Sequence, residues 1–447
     1  MTRYPPGPKG VPFLGHLHEY HRDPLGLLLR LARVHGDLVH FKLGPQHMFL
    51  LNHPDYIKDV LVTADRNFVK GRAMQFAKRV IGQGLLTSEG EFHSRQRRFV
   101  EPAFHRQRLN AYGSVVTTYG SQKAEQWHDG ATVDMAHEMT DLTLAVVGKA
   151  LFDTDLESDS EGIRQALLDS MTFLNTAMLP LLASVAKLPF PSALRFQRAQ
   201  ASLDKTIYRL IDKRQADGED RGDLLSMLLL ARDEVDGSRM SARQVRDEAL
   251  TILLTGHETM ASAMTWSLYL LSQHPEEEKR LHAELDQVLG GRVPTFEDLQ
   301  NLTRVRMFLS EALRLYPPAW AVARRAVEDY SVANYVVPAD SIILLSPYVI
   351  QRDPRYYADP LRFDSERWTT EAQAGRPRFA YFPFGGGPRR CVGEAFAWME
   401  GVLLVATLAQ RWQMRLAAGQ VVKVQPLAAL RPQHGIQMTL RRRCPRS

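Results

Sequence analysis

Cys391 closes a glycine-rich run, Phe384-Gly385-Gly386-Gly387-Pro388-Arg389-Arg390-Cys391-Val392-Gly393, and a helical pattern from Glu394 to Arg411 starts just beyond it. A cysteine at a helix N-terminus meets unpaired backbone N–H groups and the positive end of the helix dipole. Both lower its pKa and favour the thiolate, the form that ligates metal. Gly387 and Gly393 lack side chains and would let the backbone approach a flat cofactor closely. Phe384 can shield the sulfur from water, and Arg389, two residues from it, can pair with a carboxylate. A second cluster, Thr255-Gly256-His257-Glu258-Thr259, is polar inside an apolar helix. Its Gly256 could open the helix ladder locally, and Glu258 with Thr259 could deliver protons. Glu311 and Arg314, three apart, share a helix face and can pair. His93 and Arg97 stand one turn apart on another face. Each has a plainer reading: an inert buried cysteine, a kink stabilised by threonine back-bonding, a solvated basic helix.

The elements that must hold these residues are mostly helical. Short β-type runs such as Leu38-Val39-His40-Phe41-Lys42-Leu43 lie near residues 35–55 and return near 320–350, as in Ser341-Ile342-Ile343-Leu344-Leu345. Between them, about 90–315 reads as almost all helix, and no βαβ alternation supports a Rossmann sheet. The fold class is mainly α with a minor β region (α+β), residues 1–447 forming a single unit. The longest helix opens on a capping box, Ser241 with Gln244, and runs to His274, where Pro275 starts the next. About 34 residues give roughly 50 Å, enough to cross a domain. It is apolar on nearly every side from Ala249 to Leu271, as a buried helix is.

Bulk properties exclude several classes. Two cysteines, Cys391 and Cys444, are too few for a disulfide framework, a cysteine-rich zinc site or an iron–sulfur cluster. The 56 basic residues against 50 acidic leave a mild excess, met either by solvated faces or by a basic patch for an acidic partner. No targeting or membrane-spanning run is visible, so a cytoplasmic protein is expected.

The cysteine run matches F-x-x-G-x-R-x-C-x-G at every fixed position and resembles the haem loop of cytochromes P-450. The other motifs follow in that family's order. Glu311-Ala312-Leu313-Arg314 is similar to its Glu-x-x-Arg pair, which locks with a downstream arginine, here Arg367, although Ser365 stands where proline is usual. Thr255 to Thr259 resembles its small-Gly-x-acid-Thr motif, with Thr255 replacing the usual Ala or Gly and Met260 following the threonine. The resemblance implies a long central helix over haem b, held without covalent attachment. It also implies His93, Arg97 and Arg324 (or Arg325, one position on) as propionate contacts and Cys391 as iron ligand. By family position the substrate pocket draws on Phe76, Leu85, Leu86, Leu254, Thr255, Ala321 and Val322, with Met178 to Ala183 as part of its roof. These residues imply a hydrophobic substrate. The segments 346–354 and 323–327 are similar to those of terpene-oxidising members. A terpenoid monooxygenase is the reading, with a fatty-acid hydroxylase or a peroxide-driven enzyme as rivals and a haem sensor least favoured. Dioxygen and a separate ferredoxin with its reductase would be the other partners, Arg95, Arg98, Arg106 and Arg108 the candidate docking cations, and nucleic acid none.

Overall fold

The computed structural model describes residues 4–154, 165–166, 169–170, 191–233 and 236–443. The elements framing the site are strands β1 (Leu38–Leu43), β2 (Gln46–Leu51) and β3 (Phe68–Lys70), then helices α1 (Arg72–Ile81), α2 (Gly90–Val100), α3 (Arg106–Gln126), α4 (Met135–Phe152), α5 (Ala242–Gln273) and α6 (Thr303–Leu315). Strands β4 (Val322–Ala326) and β5 (Ile342–Leu345) follow, then helix α7 (Glu394–Arg411). The roof segment Met178 to Ala183 lies outside the described residues.

The two β-type regions join in one sheet of order β1-β2-β5-β4-β3. Strands β2 and β5 run parallel, Phe49 beside Ile343, and a parallel neighbour needs a long crossover, which the helical bulk supplies. The antiparallel pair β3–β4 sets Lys70 beside Arg324. That register puts two cations at the sheet edge nearest the site. Among the described residues, no helix is long and apolar enough to cross a membrane.

Helix α5 is the scaffold's axis. Ser241 Oγ accepts from Gln244 N and Gln244 Oε1 from Ser241 N, the reciprocal cap expected at its start. From there 32 residues run without interruption to Gln273. Between Val245 and Leu268 every residue is buried except Thr255, Gly256 and Thr259. Spacings of one and four put these three on one face. The expected opening of the ladder at Gly256 is not seen: the helix continues through it. Gly256 instead admits α4, for a Cβ there would stand 3.3 Å from Val147. Thr143 of α4 donates to the His257 carbonyl at 3.1 Å. Farther along α5, Ser262 Oγ and Trp266 Nε1 both donate to Leu430 O at 2.6 Å. Helix α7 meets α5 where a Cβ on Gly401 would lie 3.6 Å from Met260.

Candidate active site

The cysteine loop is a chain of tight turns. Gly385 N donates to Phe382 O, Arg390 N to Gly387 O and Cys391 N to Phe384 O, each at 3.0 Å. Gly385 and Gly387 take φ of 72° and 65°, the region that suits glycine. The protein itself demands glycine at 387: a Cβ there would stand 1.8 Å from the Leu61 carbonyl oxygen. That packing requirement stands apart from the expected approach to a flat cofactor. At Gly393 a Cβ would make only ordinary contact with Phe104, 3.6 Å away. Phe384 packs its ring 5.7 Å from that of Trp398.

Cys391 is exposed by surface area, yet its thiol is pushed up to about 11, first by burial and then by Glu394. The Gly393 amide, Arg97 and Arg390 pull the other way and lose. The expected lowering at the helix terminus is outweighed here by burial.

Behind the loop, Glu311 and Arg314 have no exposed side-chain surface and pair through two bonds of 2.8 Å. Arg367 Nε stands 3.5 Å from Glu311. Sequence reasoning missed two members. Trp368 Nε1 donates to Glu311 at 3.0 Å, and Gln351 ties the network to the loop. Its carbonyl accepts from Arg314 at 2.8 Å, while its side-chain oxygen accepts from Phe382 N at 3.3 Å. Ser365 is explained locally: its hydroxyl donates to Glu277 at 2.8 Å.

On α5 the polar cluster is bonded inward. Thr255, His257 and Thr259 each bond the carbonyl four residues back, at 2.8, 2.8 and 2.9 Å. The plainer reading, threonine back-bonding, is thus present. It satisfies the Thr259 hydrogen and leaves the hydroxyl oxygen as an acceptor on the face that keeps surface. Glu258 is buried and paired with Arg431, a partner 173 residues away that sequence reasoning missed. Phe76, Leu85, Thr255, Ala321 and Val322 are half-buried and Leu86 is exposed, as lining residues would be. Leu254 is not among them: at 1% exposure it belongs to the helical core, and its place in the pocket is corrected.

Cations crowd the far side of the loop. Arg389 pairs with Glu89 and donates to Ser88 O at 2.7 Å. Lys70, unanticipated, is buried, and burial and Arg389 push its amine down to about 7. Arg324 is pushed down to about 10 by burial and by Arg389. Among the described residues its side chain bonds only its neighbour's carbonyl, Ala323 O, at 3.1 Å. Arg325 points away and pairs with Asp340, which separates the two candidates. His93 is pushed down to about 3 by burial, then by Arg389, Lys70, Arg97 and Arg324, so it is a neutral donor. Arg97 reaches the loop itself, at Arg390 O (2.7 Å).

The Cytochrome P450 family profile matches residues 5–440. The chain belongs to the cytochrome P450 family. Cyclooctatin synthase of Streptomyces melanosporofaciens is 39% identical over 96% of this chain and 94% of that protein. Pentalenene oxygenase of Streptomyces avermitilis is 35% identical over 98% and 97%. A crystallised cytochrome P450DA haem domain superposes with TM-score 0.89 at 27% identity, covering 100% of this chain and 99% of that one. The protein is a cytochrome P450 monooxygenase with haem as its cofactor, and the family brings with it dioxygen, a hydrophobic substrate and a redox partner.

The residues of this cytochrome P450 fit haem. Buried and half-buried cations that repel one another, with Glu89 as the one carboxylate bonded among them within the described residues, call for an added dianion, and the two haem propionates would supply that charge. Cys391, two residues from Arg389, supplies the sulfur. Of the cations expected to meet a redox partner, Arg95 and Arg98 instead converge on Asp233 at 3.0 Å, and Arg108 reaches Asp220 at 3.8 Å. Both side chains are tied to a nearly buried carboxylate, and Arg98 still keeps 46% of its side-chain surface exposed. Arg106 stands exposed.

Proposed function

We propose that this cytochrome P450 hydroxylates a terpenoid in the cytoplasm, as a single haem-thiolate domain fed by a separate ferredoxin and its reductase. The observation that carries the reading is the face of α5. Between Val245 and Leu268 only Thr255, Gly256 and Thr259 keep surface, and the apolar residues Phe76, Leu85, Ala321 and Val322 of the expected pocket are half-buried as well. Such a wall selects substrates by shape and apolar contact rather than by charge. The terpenoid class draws on the segments 346–354 and 323–327 and on a relative named for oxygenating pentalenene, a terpene hydrocarbon.

Cys391 Sγ would hold the iron from one side. Lys70, Arg97, Arg324 and Arg389, with His93 as a neutral donor, would hold the propionates. Haem, once bound, supplies oxygen activation and C–H oxidation. The chain's own residues exclude water and move protons. Thr259 Oγ accepts a hydrogen bond on the open face and passes a proton onward by rotating away from Thr255 O. Glu258, the neighbouring residue, is held in place by Arg431.

The test is a spin-state titration of the purified enzyme with mono-, sesqui- and diterpene hydrocarbons beside C12–C18 fatty acids. Turnover then follows with a ferredoxin–reductase pair or with hydrogen peroxide alone. A low-spin to high-spin shift and hydroxylated product with a terpene and the ferredoxin pair support the reading. Shifts and products with fatty acids only, or turnover with peroxide only, replace it with the corresponding rival.

A further inference from the structure

Between α1 and α2 the chain crosses α5 as the strap Gly82–Ser88, and charged side chains hold its backbone. Asp247 accepts from Gln83 N at 2.8 Å and Glu248 from Leu85 N at 2.9 Å. Lys70 Nζ donates to the carbonyls of Leu85 (2.8 Å) and Ser88 (3.1 Å). The strap lies directly on the helix: a Cβ on Gly82 would stand 2.1 Å from the Asp247 carboxylate, and one on Gly84 2.2 Å from Thr251 Oγ1. Next along the strap come Leu85 and Leu86.

Glu248 is costly where it sits. It has no exposed surface, and its second oxygen, Oε1, has no partner among the described residues. One turn on, the buried Thr251 Oγ1 is likewise without one, and Thr255 follows on the open face. Burial and the adjacent Asp247 push the Glu248 carboxyl up to about 7, against the Leu85 amide and Lys70. An apolar residue would be cheaper for packing alone, since a buried carboxylate with one amide partner is incompletely paid for by that bond.

We propose that Glu248 is a positioning residue for substrate selection: by gripping the Leu85 amide it fixes Leu85 and Leu86 over the open face of α5 and sets the size of substrate admitted. This rests on the reading that those leucines border the substrate. The grip is shared with Lys70, so one side of the strap is anchored on α5 and the other on the cation cluster beside Arg389. Glutamine at 248 keeps an oxygen for the Leu85 amide; alanine removes it, and aspartate draws it back by one methylene.

The experiment compares the wild-type holoenzyme with Glu248→Gln, Glu248→Ala and Glu248→Asp. The probes are imidazole, 4-phenylimidazole and a bulky triaryl azole, whose binding spectra need no knowledge of the natural substrate, and then the terpene panel. Haem content and the reduced carbon monoxide spectrum report intact ligation. The expected result is that Glu248→Ala and Glu248→Asp change the ratio of bulky-azole to imidazole affinity by about tenfold, the order of one lost hydrogen bond. Glu248→Gln stays within about twofold, and carbon monoxide spectra are unchanged in all three. If alanine fails to load haem, aspartate carries the test. An unchanged azole ratio in the variant that loads haem overturns the proposal, as does a glutamine variant that behaves like alanine. A changed azole ratio with no terpene response in the wild type leaves Glu248 in its role and refutes only the terpenoid reading.

Discussion

Replacing Glu311 with glutamine exchanges one oxygen for an amide and keeps the side chain's volume. Each carboxylate oxygen serves two donors: Oε1 takes Arg314 Nη2 at 2.8 Å and Asp364 N at 2.9 Å, while Oε2 takes Arg314 Nε at 2.8 Å and Trp368 Nε1 at 3.0 Å. Whichever oxygen becomes NH2, two buried donors lose their acceptor and the Arg314 charge loses its counter-ion. Removing one partner of a buried pair costs about 3–5 kcal/mol. At about 1.4 kcal/mol per tenfold, the folding equilibrium falls by roughly a hundredfold to a few thousandfold. With a urea slope of about 3 kcal/mol/M or more for a chain of this size, the midpoint drops by about 1 M. The assay is urea unfolding followed together by far-UV circular dichroism and the Soret band. Because Arg314 bonds Gln351 and Gln351 bonds Phe382 at the root of the cysteine loop, the Soret signal is lost at the same urea or earlier. A midpoint within about 0.2 M of wild type would refute the reasoning, since an uncompensated buried charge cannot cost so little.

Thr259→Ala removes the open-face hydroxyl that follows Glu258 in the chain, so oxygen consumption continues while product per oxygen falls; simultaneous oxygen-electrode and product measurements check it. Arg431→Leu leaves Glu258 buried without its cation and costs on the order of 3 kcal/mol, read as a lower urea midpoint. His282 gives a pH signature: it is 7% exposed, its Nε2 has no partner among the described residues, and burial and then Arg443 push it down to about 4. The unfolded histidine takes its proton near 6.5 and the folded one only near 4, so stability present above pH 6.5 is lost as the pH falls, by at most about 1.4 kcal/mol per unit. His282→Gln therefore flattens the acid limb of urea midpoints measured between pH 7.5 and 4.5.

What could be seen in the residues alone was what is local. The cap at Ser241, the length of α5 and the Glu311–Arg314 pair all lie within a few residues, and their spacing carries the geometry. Contacts across the chain were hidden. Arg431 reaches Glu258 from a hairpin 173 residues on, Lys70 meets Arg324 only through a strand register, and Gly387 is required by a carbonyl at Leu61. Leu254 shows a different limit: apolar residues on a buried helix line a pocket or fill a core with the same periodicity, and only packing separates the two. Arg95 and Arg98 looked like a surface patch because nothing near them in sequence announces Asp233. Glu248 follows Arg246 and Asp247 in a charged stretch of the sequence, so nothing local announced that it is fully buried against the Leu85 amide.

The central claim, thiolate ligation through Cys391, is tested most directly by the reduced carbon monoxide difference spectrum of freshly purified enzyme beside a Cys391→Ser variant. A strongly red-shifted Soret band in the wild type, absent from the serine variant, is the predicted result. An ordinary histidine-type haem spectrum in the wild type, or a red-shifted band that survives the substitution, would contradict it.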